Sequence, residues 1–302
     1  MAGIFLFYHS AYKAPLYVPT DYLHIFEYMK MLLYIFTLPL LLLACGDVEK
    51  TGTPKDIKAT FMPIVNGTWV MEDYFTELEK TNSPKLASEK LKGIVSMDIN
   101  TSDIQGDSLV VSASWNNHEG YVYHLFFRQG QDEQSLVTTH PYSDNGTNFY
   151  ELAYTVDNND TLLVMKLYGK DKKLKEQRRY VKVTGPQADN SEPYGIQYVA
   201  NKVLLSGKYT ATDSNGISST IEMTDDGMVT GFGKHTTYYI YTDFLGAELT
   251  NLDEMSFDAF TKTQKPYIFE IAKDTVYLYQ ALENEERTLL IRGPLKYTLI
   301  KQ

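Results

Sequence analysis

Apolar and polar residues alternate with a period of two through most of the chain beyond residue 57. Val95, Met97 and Ile99 share one face of 93–100. Leu109, Val111, Ala113 and Trp115 share a face of the next segment, and Tyr121, Tyr123, Leu125 and Phe127 of the one after. Tyr150, Leu152, Tyr154 and Val156 alternate up to the turn Asp157-Asn158-Asn159. A period of two turns one face to a core and the other to solvent, which is the pattern of antiparallel sheet. With further segments at 66–74, 161–168 and 177–184 and a weak one at 136–140, these predict eight strands. A second series follows at 206–213, 217–224, 228–234, 236–244, 267–272, 275–282, 287–292 and 295–301. Ser214-Asn215-Gly216 and Asp225-Asp226-Gly227 supply turn chemistry between its first members. Two stretches break the period. Residues 76–92 have helix-forming composition, and 246–264 space Leu249, Leu252, Met255 and Phe260 as a helix would.

The segment 185–195, rich in Gly, Pro, Asn and Ser, is the strongest interruption and predicts a linker at 186–195 between domains at 57–185 and 196–302. The two halves echo one another. Gly67-Thr-Trp69 and Gly207-Lys-Tyr209 open them, 140 residues apart, and Asp160-Thr-Leu and Asp274-Thr-Val each begin a late hairpin. Such echoes predict an internal duplication. Eight short strands joined by tight turns remove their edges best by closing into a barrel, and eight strands leave room for side chains or one small ligand. Gly67-Thr-Trp69 resembles the signature at the first strand of lipocalins. The resemblance covers a tripeptide and implies a structural role for Trp69 at the barrel floor, with Gly67, Gly207 and Tyr209 as matching positions; Tyr209 departs from the tryptophan of that pattern. The expected fold class is therefore all-β: two tandem antiparallel up-and-down, lipocalin-like β-barrel domains after a signal peptide.

That signal peptide is read at 29–44. Lys30 precedes a 14-residue apolar run over 31–44, which is short of the roughly 20 residues needed to span a bilayer. Leu42-Leu-Ala-Cys45 ends the run, and Gly46-Asp47 begins a polar stretch. This order resembles the lipobox of bacterial lipoproteins. The resemblance implies cleavage before Cys45, a diacylglyceryl (palmitate-type) thioether on Cys45 and acylation of the new amino terminus. Residues 45–56 then read as a flexible tether. Residues 1–28 fit no part of a signal and are expected to be an N-terminal extension from an early start codon. The implied location is the envelope of a Gram-negative bacterium, on the outer membrane.

Composition narrows the function classes. Twenty-eight Lys and Arg against 38 Asp and Glu give a net charge of −10, which disfavours nucleic acid as a partner. The single cysteine, Cys45, excludes an internal disulfide framework. The 24 Tyr and 14 Phe suit half-buried pleated surfaces. Candidate chemistry is thin. Of His118, His124, His140 and His235, the first two could share a strand face but lack a further ligand nearby, so no metal is expected and the histidines read as surface or rim residues. No nucleophile elbow occurs, Gly231-Phe-Gly233 is half of a dinucleotide fingerprint, and the pairs Asp225-Asp226 and Glu285-Glu286 fall in turns. No catalytic residue and no cofactor is expected. Lys166, Lys170, Lys172, Lys173, Lys175, Arg178, Arg179 and Lys182 form a basic cluster, read as a solvated hairpin or a contact for anionic head groups. Tyr238, Tyr239, Tyr241 and Phe244 are the densest aromatic segment, suited to sugar or protein recognition where it faces outward. The function these features imply is non-catalytic: an anchored envelope lipoprotein binding a small apolar ligand, a glycan or an envelope partner protein. The alternatives are an envelope enzyme acting on a glycan or lipid, and a purely structural assembly or adhesion subunit.

Overall fold

The computed structural model describes residues 54–141, 147–183, 194–246 and 248–302. All belong to one compact unit, Gly52–Gln302. The expectations for the signal, for Cys45 and for most of the tether and linker lie outside the described residues.

Helix α1 (Pro54–Val65) leads into β1 (Gly67–Met71). Helix α2 (Glu72–Thr81), the single turn α3 (Pro84–Ala87) and a 3-10 turn follow, so the helical reading of 76–92 holds. The strands β2 (Ile94–Ile99), β3 (Ser108–Trp115), β4 (Glu119–Gln129), β5 (Ser135–Pro141), β6 (Phe149–Asp157), β7 (Asp160–Tyr168) and β8 (Leu174–Val183) pair in chain order. β8 returns to β1, with Trp69 opposite Lys182, and closes an eight-stranded barrel. The sequence period explains the closure: Leu109, Val111, Tyr123, Leu125 and Phe127 point inward and are buried, while Val110 and Val122 point out and are exposed. Asn158 and Asn159 take positive φ in the two-residue turn between Asp157 and Asp160, the geometry whose twist matches the flanking strands, and Asn116 and Asn117 do so in the three-residue connection between Trp115 and Glu119.

Helix α4 (Tyr194–Ala200) continues as a π-helical turn (Asn201–Leu205) into the second half. There β9 (Gly207–Asp213), β10 (Ser218–Met223), β11 (Val229–Thr230), β12 (Tyr238–Ile240), β13 (Glu254–Phe257), β14 (Lys265–Ala272), β15 (Thr275–Glu283) and β16 (Leu290–Lys301) form an antiparallel sheet. Its order is β11-β10-β9-β16-β15-β14-β13-β12. The edge strands meet at one bridge, Met228 opposite Thr237, reinforced by Val229 N–H to Thr236 O (2.9 Å) and Tyr238 N–H to Gly227 O (2.7 Å). β11 ends before Gly231, whose positive φ and approach to the Thr220 carbonyl leave no room for a side chain.

Two expectations for this half are corrected. Residues 246–264 are not helical: Met255 and Phe257 alternate inward on β13, and the apparent helical spacing of Leu249, Leu252, Met255 and Phe260 is coincidental. The segments 287–292 and 295–301 are not separate strands. Gly293-Pro294 stand opposite the single residue Gln280 as a bulge inside β16, where a proline lacking an N–H is tolerated.

The halves touch along a mixed interface. Gly195 of α4 lies against the outward side chains of Thr68, Val70 and Ser96, burying that part of the first barrel's exterior. Asn117 Nδ2 donates to the Thr242 carbonyl (2.9 Å), and Ser83 Oγ and the Lys85 N–H donate to Asp253 (2.5 and 2.7 Å). Lys85 Nζ sits 5.0 Å from the Phe244 ring centroid.

Candidate functional site

Helix α1 covers one end of the first barrel: Phe61 packs edge-on against Tyr154 (5.3 Å), and Val65 is buried beneath Trp69. At the opposite end β3, β5 and the hairpin partners β4 and β6 bring their inward residues to one rim. Trp115, Tyr121, His140 and Tyr150 meet there. The His140 ring lies 4.2 Å from Tyr150, 5.1 Å from Tyr121 and 5.9 Å from Trp115, centroid to centroid. Tyr121 Oη is 2.8 Å from His140 Nδ1. Arg178 of β8 shares the face of the buried Tyr180 and adds a cation, held by Glu176 through Nε (2.6 Å) and by the Lys92 carbonyl.

The electrostatics follow from burial. His140 is pushed down to about 4, first by desolvation and then by the charge of Arg178, so the imidazole is neutral at neutral pH. Desolvation likewise raises the Tyr121 phenol, and raises that of Tyr123, whose hydroxyl contacts Met97 Sδ at 3.0 Å. Trp115, Tyr121 and Tyr150 are half-buried while His140 is buried, which makes a shallow aromatic cup with a basic wall. Beneath it the barrel is filled: Leu125, Phe127, Leu136, Leu152 and Leu163 are buried at the level below.

The other residues singled out in the sequence serve elsewhere. His118 pairs with Asp243 across the interface at 2.7 Å, and His124 lies on the outer face of β4 against Phe126. His235 binds Asp258 (2.6 Å), whose carboxylate also accepts the Thr236 and Thr237 N–H groups. The Thr236 hydrogen bond, with those from His235 and Thr237, holds Asp258 down at about 2. Among the described residues no group of three or more His, Cys, Asp or Glu could hold a metal. The basic cluster is dispersed into pairs: Lys166 with Asp132 (2.6 Å), Arg179 with Glu72 (3.0 Å) and Asp157 (2.7 Å), and Lys182 5.5 Å from the Trp69 ring centroid. Tyr238 is buried and donates to the Thr224 carbonyl (2.6 Å), whereas Tyr239 and Tyr241 face outward beside Phe260. Asp225 caps the second half from within, accepting from Ser206 Oγ (2.5 Å) and Tyr198 Oη (3.0 Å). A separate surface cleft of about 400 Å³ lies between α2 and the π-turn, lined by Phe75, Glu79, Asn82, Lys202 and Val203.

The sequence period places Trp115, Tyr121 and Tyr150 on inward faces without bringing them together, and it marks neither His140 nor Arg178 as their neighbour. The usable signal is that Trp115 and His140 close β3 and β5 while Tyr121 and Tyr150 stand near the start of β4 and β6, positions that an up-and-down meander brings to one rim. No protein-family model matches the chain, and no curated protein is similar to it. Among the described residues no helix is long and apolar enough to cross a membrane, which says nothing of strands.

Proposed function

We propose that this chain is a non-catalytic, lipid-anchored lipoprotein of a Gram-negative cell envelope. In this reading Cys45 carries the acyl anchor, and two tandem lipocalin-like barrels stand on the 45–56 tether. The first barrel holds a small apolar ligand in its aromatic cup. The observation that carries the reading is the convergence of Trp115, Tyr121, His140 and Tyr150 around one buried, neutral imidazole. Aromatic walls with a few placed polar groups are what small-molecule sites are made of. The half-buried Arg178 favours an apolar body with an anionic head. A neutral His140 tied to a phenol suits hydrogen bonding to ligand better than proton transfer at neutral pH, which weighs against the enzyme reading. The filled barrel beneath the cup favours a shallow, partly exposed ligand, and it is also what a purely structural subunit would have.

Trp115 provides the test, because the chain has only two tryptophans and Trp69 is fully buried at the other end. Palmitate and hexadecanol are titrated into the full chain in detergent while tryptophan emission is followed. A saturable change with palmitate, weaker with hexadecanol and abolished in Trp115→Phe, is the expected result. No saturable change with either probe would leave the structural-subunit reading in its place.

A further inference from the structure

We propose that the outer face of the second sheet carries a glycan-binding notch built from Tyr239, Tyr241 and Phe260, and that its ligand is a neutral pyranose chain.

Phe260 is the starting point. Its residue is 77% exposed and its φ is +62°, a combination of unshielded apolar surface and left-handed backbone that a bulky residue rarely adopts. Such a conformation persists only where neighbours over-determine it. Here they do. The Gln264 side chain accepts the Phe260 N–H through Oε1 (3.0 Å). The same amide donates through Nε2 to Tyr241 Oη (3.1 Å) and Ser256 Oγ (3.3 Å). One amide therefore fixes Phe260, Tyr241 and the β13 surface relative to one another. On the other side of the turn Thr261 Oγ1 donates to the Asp258 carbonyl (2.7 Å), and Asp258 is itself left-handed at φ +46°. Its carboxylate is anchored by the Thr236 and Thr237 N–H groups. The turn is built to hold an aromatic ring out in solvent.

The three rings form a stepped corner. Tyr239 meets Tyr241 at 5.2 Å and 77°, and Phe260 at 5.2 Å and 71°; Tyr241 and Phe260 are 6.5 Å apart at 68°. Rings set at right angles offer faces to successive, differently tilted sugar rings, whose C–H faces are apolar and whose edges are hydroxylated. The rim supplies matching neutral groups: the Tyr239 and Tyr241 hydroxyls and the exposed Gln264 amide, which the buried Ser256 Oγ braces from beneath. Asp258 is engaged by His235 and Asp243 by His118, and burial raises Glu254, on the same face of β13, to about 7, so little free negative charge faces the corner to draw a cationic ligand as an acidic aromatic cage would. Three rings also fall far short of the roughly 800 Å² per partner of a stable protein interface. Because the ring positions are fixed beforehand, a weakly adhering sugar loses little to ordering the site.

This site shares no residue with the cup of the first barrel, so each can fail without the other. The full chain, purified in detergent, is titrated by calorimetry with maltohexaose, cellohexaose and mannohexaose. We expect saturable binding of at least one, weakened about five- to tenfold in Phe260→Ala and retained in Phe260→Tyr. The thermal melt should not move in either variant, since an exposed ring packs little. The Trp115 response to palmitate should likewise be unchanged. Absence of saturable binding for all three hexaoses below about 10 mM, or unchanged affinity in Phe260→Ala, overturns the proposal.

Discussion

Trp69 Nε1 donates a 2.8 Å hydrogen bond to the carbonyl of Val65, four residues earlier at the end of α1. The second half repeats the device with another aromatic: Tyr209 Oη donates 2.9 Å to the Leu205 carbonyl at the end of the π-turn. In each case a helix ends, one residue intervenes, and a glycine with φ of +124° (Gly67) or +145° (Gly207) turns the chain into the first strand. In each case the aromatic stands opposite a lysine of the last strand, Lys182 or Lys301. A methyl group on Gly67 would lie 2.7 Å from Lys182 Cε, and one on Gly207 would lie 2.9 Å from Lys301 Cε. The glycine, the aromatic and the lysine are one unit that locks helix, first strand and last strand together.

Tyr209→Phe should therefore lower the unfolding free energy by about 1 kcal/mol, the net worth of one hydrogen bond. Gly207→Ala should cost about 1–3 kcal/mol, since it adds backbone strain at a positive φ to the clash with Lys301. Urea midpoints for the two variants, with unchanged slope, measure both. Equal midpoints for wild type and Gly207→Ala would show that the glycine is incidental.

The cup makes stability depend on pH. His140 titrates near 4 in the folded chain and near 6.5 when unfolded. Between those values the unfolded chain binds a proton that the folded chain refuses, so stability falls as pH drops from about 6.5 to 4 and levels off below. The full difference corresponds to roughly 3 kcal/mol. His140→Gln, which cannot titrate, should flatten the wild-type dependence in that window. Denaturation at pH 7.5, 5.5 and 4.5 checks this; parallel curves for the two proteins would refute it.

How far the sequence carried the fold can be judged residue by residue. The first barrel was legible because Leu109 to Trp115 and Tyr121 to Phe127 alternate cleanly, and a period of two has one interpretation when Asn-Asn turns punctuate it. β13 was not legible. It is four residues long, and the left-handed Asp258 and Phe260 beside it carry no glycine to announce them. Helix α1 was hidden by Pro63 and by its position against a polar tether, and α4 by Gly195 and by the turn-forming sequence that runs up to Tyr194. The cup was half legible. Its members' faces follow from periodicity, but their meeting depends on register across β3, β4, β5, β6 and β8, which is a property of the closed sheet and not of any strand.

The proposed anchor at Cys45 lies outside the described residues and is tested chemically. Cys45→Ser should abolish membrane retention, because a hydroxyl cannot form the thioether and two or three acyl chains are what make such attachment stable. Mass spectrometry of the mature amino terminus decides the matter. An unmodified peptide running through residues 40–50 in the wild type would show that no cleavage or lipidation occurs.

The contact between the halves should also titrate. His118 is raised above its usual value by its hydrogen bond to Asp243 and by that residue's charge, with a smaller push from Glu119 and a small opposing effect of desolvation. A histidine raised in the folded state stabilises it fully below the unfolded value near 6.5, and that contribution disappears as pH rises through the higher folded value. The pair is half-exposed, so the effect belongs to low salt and should shrink at 0.5 M NaCl. Asp243→Asn removes the charge while leaving Asn117 bonded to Thr242 and Asp253 bonded to Ser83 and Lys85, so the halves stay docked. The melting-temperature difference between wild type and Asp243→Asn should then be largest near pH 5.5 and close toward pH 8.5. His140 does not confuse the comparison, since it is common to both proteins. A difference that stays constant across that range would mean that Asp243 acts through packing alone and that the His118 pair contributes nothing to holding the halves together.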